Sequence, residues 1–479
     1  MNAGIVGGGI GGLITALYLR KQGKEVTIYE KSSGLGGRLN FFKTEGYRID
    51  SGPTIVLLPE MIYEILDEIG IEREEIELIP CTPMYKLNYP DGSHFYKTSD
   101  LPGQLNEISR MYPGDEQGFL RYVADMYERF HQGKTAFLDR SFVNKRDFWT
   151  PKNLHTLTKL KAYQSVKDFA KVYFNHPRMQ EAFSFQTLYI GGSPENSPAM
   201  YSLVPFSEHA HGIWYIKGGY ASIVDLLQRK LAEQGVEIKV NTPVNSLLIN
   251  GNACNGVVTK EGTQMHDMVI YNGDFPGIQH LIPGRKPIKK SYQSSSGCFL
   301  LYLGLDRTYD EADVHQFFMT DYFDAHMQEV FVRKNLPRDP AVYTFYPSKI
   351  DPSLAPEGKS VLYVLVPVPS GDTVDWEAKK ETYADFILQR LEDRGYPGLK
   401  KAITWKEIRT PNDALTDGLY QGGSFGIAPT LKQSGVFRPQ IKPLPYENLY
   451  AVGASIHPGG GVPIVMQSAK HLAKYLERA

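Results

Sequence analysis

Cysteine is scarce in this chain: three residues in 479, at Cys81, Cys254 and Cys298. Their separation excludes a disulfide scaffold and supplies no metal-ligand spacing, so no metal is expected and a reducing compartment is. Long apolar runs are missing too. The run CFLLYLGL, residues 298–305, is strand length, far below the roughly 18 residues that cross a bilayer. No basic stretch followed by an apolar one opens the chain, so no leader is expected. Neither charge is in excess, with 52 Lys and Arg against 53 Asp and Glu. That balance argues against nucleic acid as a partner. Aromatic residues, by contrast, are plentiful, with 30 Tyr and 23 Phe. They suit an apolar pocket or a membrane-facing surface as well as ordinary cores. The length exceeds what one core fills and implies two or three domains.

The first 31 residues read strand, glycine turn, helix, strand. Gly7, Gly9 and Gly12 match G-x-G-x-x-G, with Ile10 and Gly11 between them. Gly7 suits the tight turn, Gly9 lets backbone approach a pyrophosphate, and Gly12 lets helix pack on strand. The helix start offers free N–H groups and a partial positive charge to that anion. Glu30, 18 residues beyond Gly12, ends the second strand. Its carboxylate suits the ribose hydroxyls of a dinucleotide, and Lys31 follows it. A second glycine pair, Gly36 and Gly37, precedes Arg38. It adds another backbone approach and a guanidinium for the phosphates. Asp50 then opens DSGPTIV, in which Gly52, Pro53 and Thr54 resemble the loop beside the flavin ring in large FAD enzymes. FAD is therefore expected rather than NAD, and no second dinucleotide unit follows.

The middle of the chain is less regular. Between residues 140 and 171, eight Lys or Arg meet two Asp, with Phe148, Trp149, Leu154, Leu157 and Leu160 interleaved. That mixture suits a segment lying on anionic lipid. FSFQTLYIGGSPENSPAMYSL (183–203) reads as an aromatic helix broken at Gly191 and Gly192. A helix ending near Gln234 and the strand VEIKV follow, and Val244 resembles the valine whose backbone packs against adenine in large FAD enzymes. DMVIYNGDFP (267–276) reads as another such strand, with Asp274 supporting the cofactor. From Lys289 to about Ile408 strand patterns dominate, with one covering helix at 376–395. The tail VGASIHPGGGVPIVMQSAK (452–470) is again strand, glycine turn and helix. Gly453, Ala454, Pro463 and Ile464 are expected at the flavin, whose reduced form the helix start would stabilise.

GGGIGG, GLGGR, DSGPTIVLLP, FQTLYIGGSP, YIKGGY, RTPND, GSFGIAPTL and VGASIHPGGGVPIV occur in this order over nearly the whole chain. With them the chain resembles the bacterial carotenoid desaturases, most closely dehydrosqualene (4,4′-diapophytoene) desaturases. The resemblance implies an α/β fold of glutathione-reductase/amine-oxidase type: an FAD-binding Rossmann-like domain, a mixed-sheet substrate domain and a helical membrane-facing subdomain. The expected boundaries are 1–85, 213–285 and 440–479 for the FAD domain, 86–105 and 286–439 for the substrate domain, and 106–212 for the helices. It implies FAD, a linear apolar polyene, desaturation by hydride transfer to flavin with loss of a neighbouring proton, and attachment to the cytoplasmic face of the cell membrane through about 140–171. His457, beside the flavin turn, is the candidate proton acceptor or cation stabiliser. A structural histidine is the competing reading. Four alternatives stay open: oxidation of terminal methyl groups of a C30 carotenoid, C40 phytoene desaturation, an amine or protoporphyrinogen oxidase, and a flavin-binding protein without catalysis. The oligomeric state has no signal in the sequence.

Overall fold

The computed structural model describes residues 1–284 and 291–478. Lys289, where the strand-rich region was expected to start, and the boundary between residues 285 and 286 lie outside them.

Two sheets organise the molecule. The first has five parallel strands in the order Leu449–Ala451, Met268–Tyr271, Asn2–Val6, Glu25–Tyr29 and Glu237–Lys239. Its strands come from the head, middle and tail of the chain. Ile5, Ile28 and Ile270 sit side by side in register, fully buried. Continuous apolar runs of this kind are what a sheet covered on both faces requires. Its cover includes Ile10–Lys21, Ser222–Glu233 and Val462–Leu476. The ligand crevice of such a sheet lies beyond the carboxyl ends of its strands. Here those ends are Val6, Tyr29, Tyr271 and Ala451.

The second sheet has seven strands in the order Ile403–Arg409, Gly297–Leu305, Ser360–Val368, Val342–Phe345, His315–Phe318, Tyr85–Asn88 and His94–Lys97. It is antiparallel except where His315–Phe318 meets Tyr85–Asn88. Alternation sorts its side chains onto two faces. Leu301, Leu303, Val364 and Val366 pack under Trp376, Ile387 and Leu391 of the long helix Trp376–Arg394. The opposite face carries one row across six strands, Leu87, Phe317, Tyr343, Leu365, Leu300 and Arg409, each in register with the next.

Between the sheets, residues 101–211 are mainly helical. FQTLYI forms a 3-10 turn, Phe185–Ile190, rather than an α-helix. Gly191 closes it at φ 71°, and a Cβ there would meet Ser295 at 2.5 Å and Phe425 at 2.7 Å. A tight turn and a close approach thus replace the longer helix. The basic stretch holds two short helices, Pro151–Lys159, opened by Pro151 and capped by the Thr150 side chain, and Val166–Ala170, capped by the Ser165 side chain. Among the described residues, no helix is long and apolar enough to cross a membrane.

Candidate functional site

The strand ends converge on a glycine-lined crevice. Gly7 (φ 102°) makes the first turn, and the backbone of Gly7 and Gly9 is held by Asn272, whose side-chain amide donates to both carbonyls at 3.0 and 3.1 Å. A Cβ on Gly12 would run into the Gly7 carbonyl, and one on Gly11 would stand 2.6 Å from Asn272 Oδ1. Ile10 opens the helix and is buried beneath it. Gly36 docks on this loop through its N–H to the Gly8 carbonyl at 2.8 Å. Gly9, Gly37, Gly453, Gly460 and Gly461 have nothing closer than about 3.2 Å to an added Cβ. Side chains are thus absent along this rim, and bare backbone faces the crevice, the surface that a phosphate-bearing ligand needs.

Glu30 accepts from the Gly8 N–H at 2.7 Å and the Ser32 N–H at 2.8 Å. Thr242 donates its N–H to the Glu30 carbonyl, which brings the half-buried Val244 to the same edge. Arg38 is exposed, its guanidinium donating to the Ser424 carbonyl at 2.7 Å. Desolvation by the surrounding protein lowers its pKa and the charge of Asp274 opposes that. Lys31 points elsewhere, donating to the Asp417 carbonyl at 2.8 Å on the surface.

Asp50 is buried and takes the N–H groups of Tyr220 and Ala221, at 3.0 and 2.8 Å, at the start of Ser222–Glu233. Burial pushes its carboxyl up to about 7, with those N–H bonds and Arg48 pulling back. The bond pair anchors the loop that follows. A Cβ on Gly52 would strike the Arg38 carbonyl. Pro53 lies half-buried beside it, and Thr54 Oγ1 bonds Tyr343 Oη at 2.7 Å. This loop thus bridges the cofactor crevice and the second sheet.

Asp274 joins three segments. Its carboxylate accepts from Ser455 Oγ and from the Tyr420 N–H at 2.8 Å, tying the tail turn to the loop that carries GSFGIAPTL. Gly453 (φ 118°) donates its N–H to Ser468 Oγ at 3.2 Å. The Ala454 carbonyl accepts from the buried Arg438 guanidinium at 2.5 Å. Gly461 precedes the helix, with Pro463 at its first turn and Ile464 half-buried. Asn272, Ser455 and Arg438 had no sequence signal of their own. Asn272 could have been found as the residue directly after a buried strand.

His457 is fully committed on one side. Its Nε2 lies 3.0 Å from the Phe137 carbonyl and 2.9 Å from the Arg140 carbonyl. Two acceptors make this nitrogen the donor, and Nδ1 is buried without a partner. Burial pulls the ring down to about 4, with the two carbonyls opposing. His457 is therefore a neutral tether between the tail turn and residues 137–140.

Beside the loop that carries Ser51, the row on the second sheet keeps apolar side chains partly accessible. Leu300 and Leu365, partners in register, are partly accessible, whereas their neighbours Leu301 and Val364 have no exposure. Phe42 lies over Tyr302 at 4.5 Å, and Tyr302 donates to the Ser51 carbonyl at 2.6 Å. Leu188 and Tyr189 enter from the 3-10 turn. No cluster of three or more metal-ligating side chains exists among the described residues.

Known proteins give this geometry a context. The family model described as flavin containing amine oxidoreductase matches residues 10–476. A 4,4′-diapolycopen-4-al dehydrogenase of Metabacillus indicus is 53% identical over 98% of this chain and 96% of its own length. A 4,4′-diapophytoene desaturase (4,4′-diaponeurosporene-forming) of Staphylococcus haemolyticus is 32% identical over 99% and 98%. Among solved structures, an oxidoreductase from Methanosarcina mazei superposes with a TM-score of 0.71 at 17% identity, covering 99% of this chain and all of its own. A putrescine oxidase gives 0.68 at 14% identity, covering 100% and 99%. The last two carry the fold alone.

Proposed function

The chain belongs to the flavin containing amine oxidoreductases, among the bacterial carotenoid desaturases, and on that premise we propose that it oxidises linear C30 carotenoids with FAD. The observation that carries this is full-length similarity to two C30 carotenoid enzymes, at 53% and 32%. The residues present fit the cofactor. Gly7, Gly9, Gly36 and Gly37 would border its pyrophosphate, Glu30 its ribose, and Gly453–Ile464 its flavin end. Bound FAD supplies the two-electron acceptor. The chain's own part is to hold a flexible polyene in one place and keep water away. Leu300, Leu365 and Phe42 give an apolar wall for that, and Asp50, Asp274 and Asn272 fix the loops around it.

Two reactions share this site. One is desaturation of 4,4′-diapophytoene towards 4,4′-diaponeurosporene. The other is oxidation at a terminal carbon, which the higher identity to the aldehyde dehydrogenase favours. Expression in cells making only 4,4′-diapophytoene tests the first: a yellow lipid extract with structured bands supports desaturation, and a colourless one rejects it. Purified holoprotein mixed anaerobically with 4,4′-diapolycopen-4-al tests the second. Bleaching of the flavin with formation of the acid supports it; an unchanged flavin spectrum rejects it. A colourless extract in the first test with an unreduced flavin in the second would leave a binding protein without catalysis.

The division into FAD, substrate and helical parts at the boundaries given above belongs to the same proposal. So does peripheral attachment at the cytoplasmic face of the cell membrane. Trp149 and Phe437 are 50% and 46% exposed and touch edge to face at 6.0 Å. Leu154 and Tyr163 are exposed nearby in sequence, among Lys145, Arg146 and Lys152. Exposed aromatics among cations match an anionic lipid surface.

A further inference from the structure

One charged pair on the site face of the second sheet has no part in the reading above. Lys97, at the end of His94–Lys97, and Glu208, on the helix Leu203–His211, both have 0% exposure. The Lys97 ammonium lies 3.4 Å over the Phe183 ring and makes one long hydrogen bond, 3.4 Å, to the Ala182 carbonyl. Glu208 Oε2 accepts from Tyr85 Oη at 2.8 Å and from Gln186 Nε2 at 3.2 Å. Burial lowers the Lys97 pKa and raises that of Glu208, and the charge of each opposes the shift in the other. Tyr122 and His209 also face the pair, the imidazole held by the Thr98 carbonyl.

An apolar core gains nothing from such a pair, because desolvation offsets the attraction. Nor is the cluster saturated. Glu208 Oε1, Gln186 Oε1 and Tyr189 Oη are buried without a partner. Three polar atoms left open in one place call for an explanation, and a missing ligand group is one. Tyr189, half-buried, is the member that joins the row on the second sheet. Its ring stacks on Phe317 at 6.2 Å, in the row that continues through Tyr343 to Leu365 and Leu300. Its hydroxyl interacts with Glu208 without closing a well-formed bond. Gln186 and Tyr189 lie in a stretch that resembles the desaturases, whereas Lys97 and Glu208 lie in none.

We propose that Tyr189, backed by Glu208, Gln186 and Lys97, is the subsite for an oxygen-bearing end of the polyene. The inference rests on the C30 carotenoid reading and adds the chemistry of the chain end. The spare groups include a donor, Tyr189 Oη, and two acceptors, Glu208 Oε1 and Gln186 Oε1. A hydroxyl, a hydrated aldehyde or a carboxyl group engages both kinds. A hydrocarbon end would leave all three open, and buried polar groups left unpaired are what makes a site reject an analogue.

The test is binding to purified holoprotein in detergent, with 4,4′-diapolycopen-4-al and its hydrocarbon counterpart 4,4′-diapolycopene as probes. Wild type should bind the aldehyde at least about tenfold more tightly. Tyr189→Phe, which removes only the hydroxyl, should bring the two within about twofold and leave the hydrocarbon Kd unchanged. Glu208→Gln keeps the shape of the cluster and should reduce the same ratio. A shift of the aldehyde's absorption band on binding to wild type, lost in Tyr189→Phe, would be the spectroscopic sign. Equal binding by wild type, or a ratio untouched in both variants, overturns the subsite. Hydrocarbon that reduces the flavin without an aldehyde preference sinks the subsite alone. Failure of both polyenes to bind and to bleach the flavin sinks the C30 reading and the subsite with it.

Discussion

At the scale of single residues, the site separates groups that do chemistry from groups that hold shape. His457 falls on the second side, because both of its near acceptors are carbonyls. His457→Gln places an amide donor near the Nε2 position and should keep turnover within about threefold. His457→Ala should keep the chemistry in the fraction that stays folded but lower stability by about 1–3 kcal/mol through unpaired carbonyls. A loss of about 10²–10⁴ in His457→Gln would instead mark a proton-transferring group. Asp50 predicts a pH dependence. Its folded pKa is raised, to about 7, so the folded state binds the proton more tightly. The associated stability is full below about 4 and is lost as pH rises through about 7. Thermal unfolding of wild type against Asp50→Asn should show that difference, on the order of 2–4 kcal/mol between pH 4 and 8. Parallel pH profiles would reject it.

At the scale of elements, the sequence is most legible where spacing is strict. The strand–glycine–helix unit at the head and the strand–turn–helix at the tail could be read because glycine spacing and apolar runs leave few alternatives. FQTLYI could not. Its helical look comes from composition, and its 3-10 form depends on Ser295 and Phe425 standing against Gly191, contacts made across more than a hundred residues. The basic stretch was half legible. Phe148 and Leu160 turn inward to a small cluster with Phe137, Phe142 and Val436, leaving Trp149 and Leu154 outside. No periodicity separates these roles in a segment whose helices are this short. Replacing Trp149 and Leu154 with Ser should weaken pelleting with anionic vesicles several-fold and spare the thermal midpoint, since both side chains are already exposed. Unchanged pelleting would move the lipid contact elsewhere.

At the scale of the whole molecule, the two sheets divide the labour. One presents its strand ends to the glycine-lined crevice, and the other carries an apolar row on the face opposite Trp376–Arg394. Loop 50–54 and Asp274 tie the two together. The contacts of Asn272 with Gly7 and Gly9 and of Ser455 with Asp274 were invisible in sequence because each joins segments far apart. FAD should therefore act as a structural brace. At free FAD one hundred times its Kd, stability should rise by about 2.7 kcal/mol over the stripped protein, measured by denaturant unfolding with and without FAD. No rise would mean that the crevice does not depend on its ligand.

The first strand pairs with Met268–Tyr271, which pairs in turn with Leu449–Ala451, and Gly453 is then pinned by Ser468. A chain leaving the ribosome thus carries an unfinished sheet until Leu449–Ala451 has emerged. Chaperones would meet the nascent protein with the edge of Met268–Tyr271 bare, and cofactor loading becomes a post-translational event. Truncation anywhere before residue 468 should yield a colourless, aggregation-prone product, however complete its second sheet.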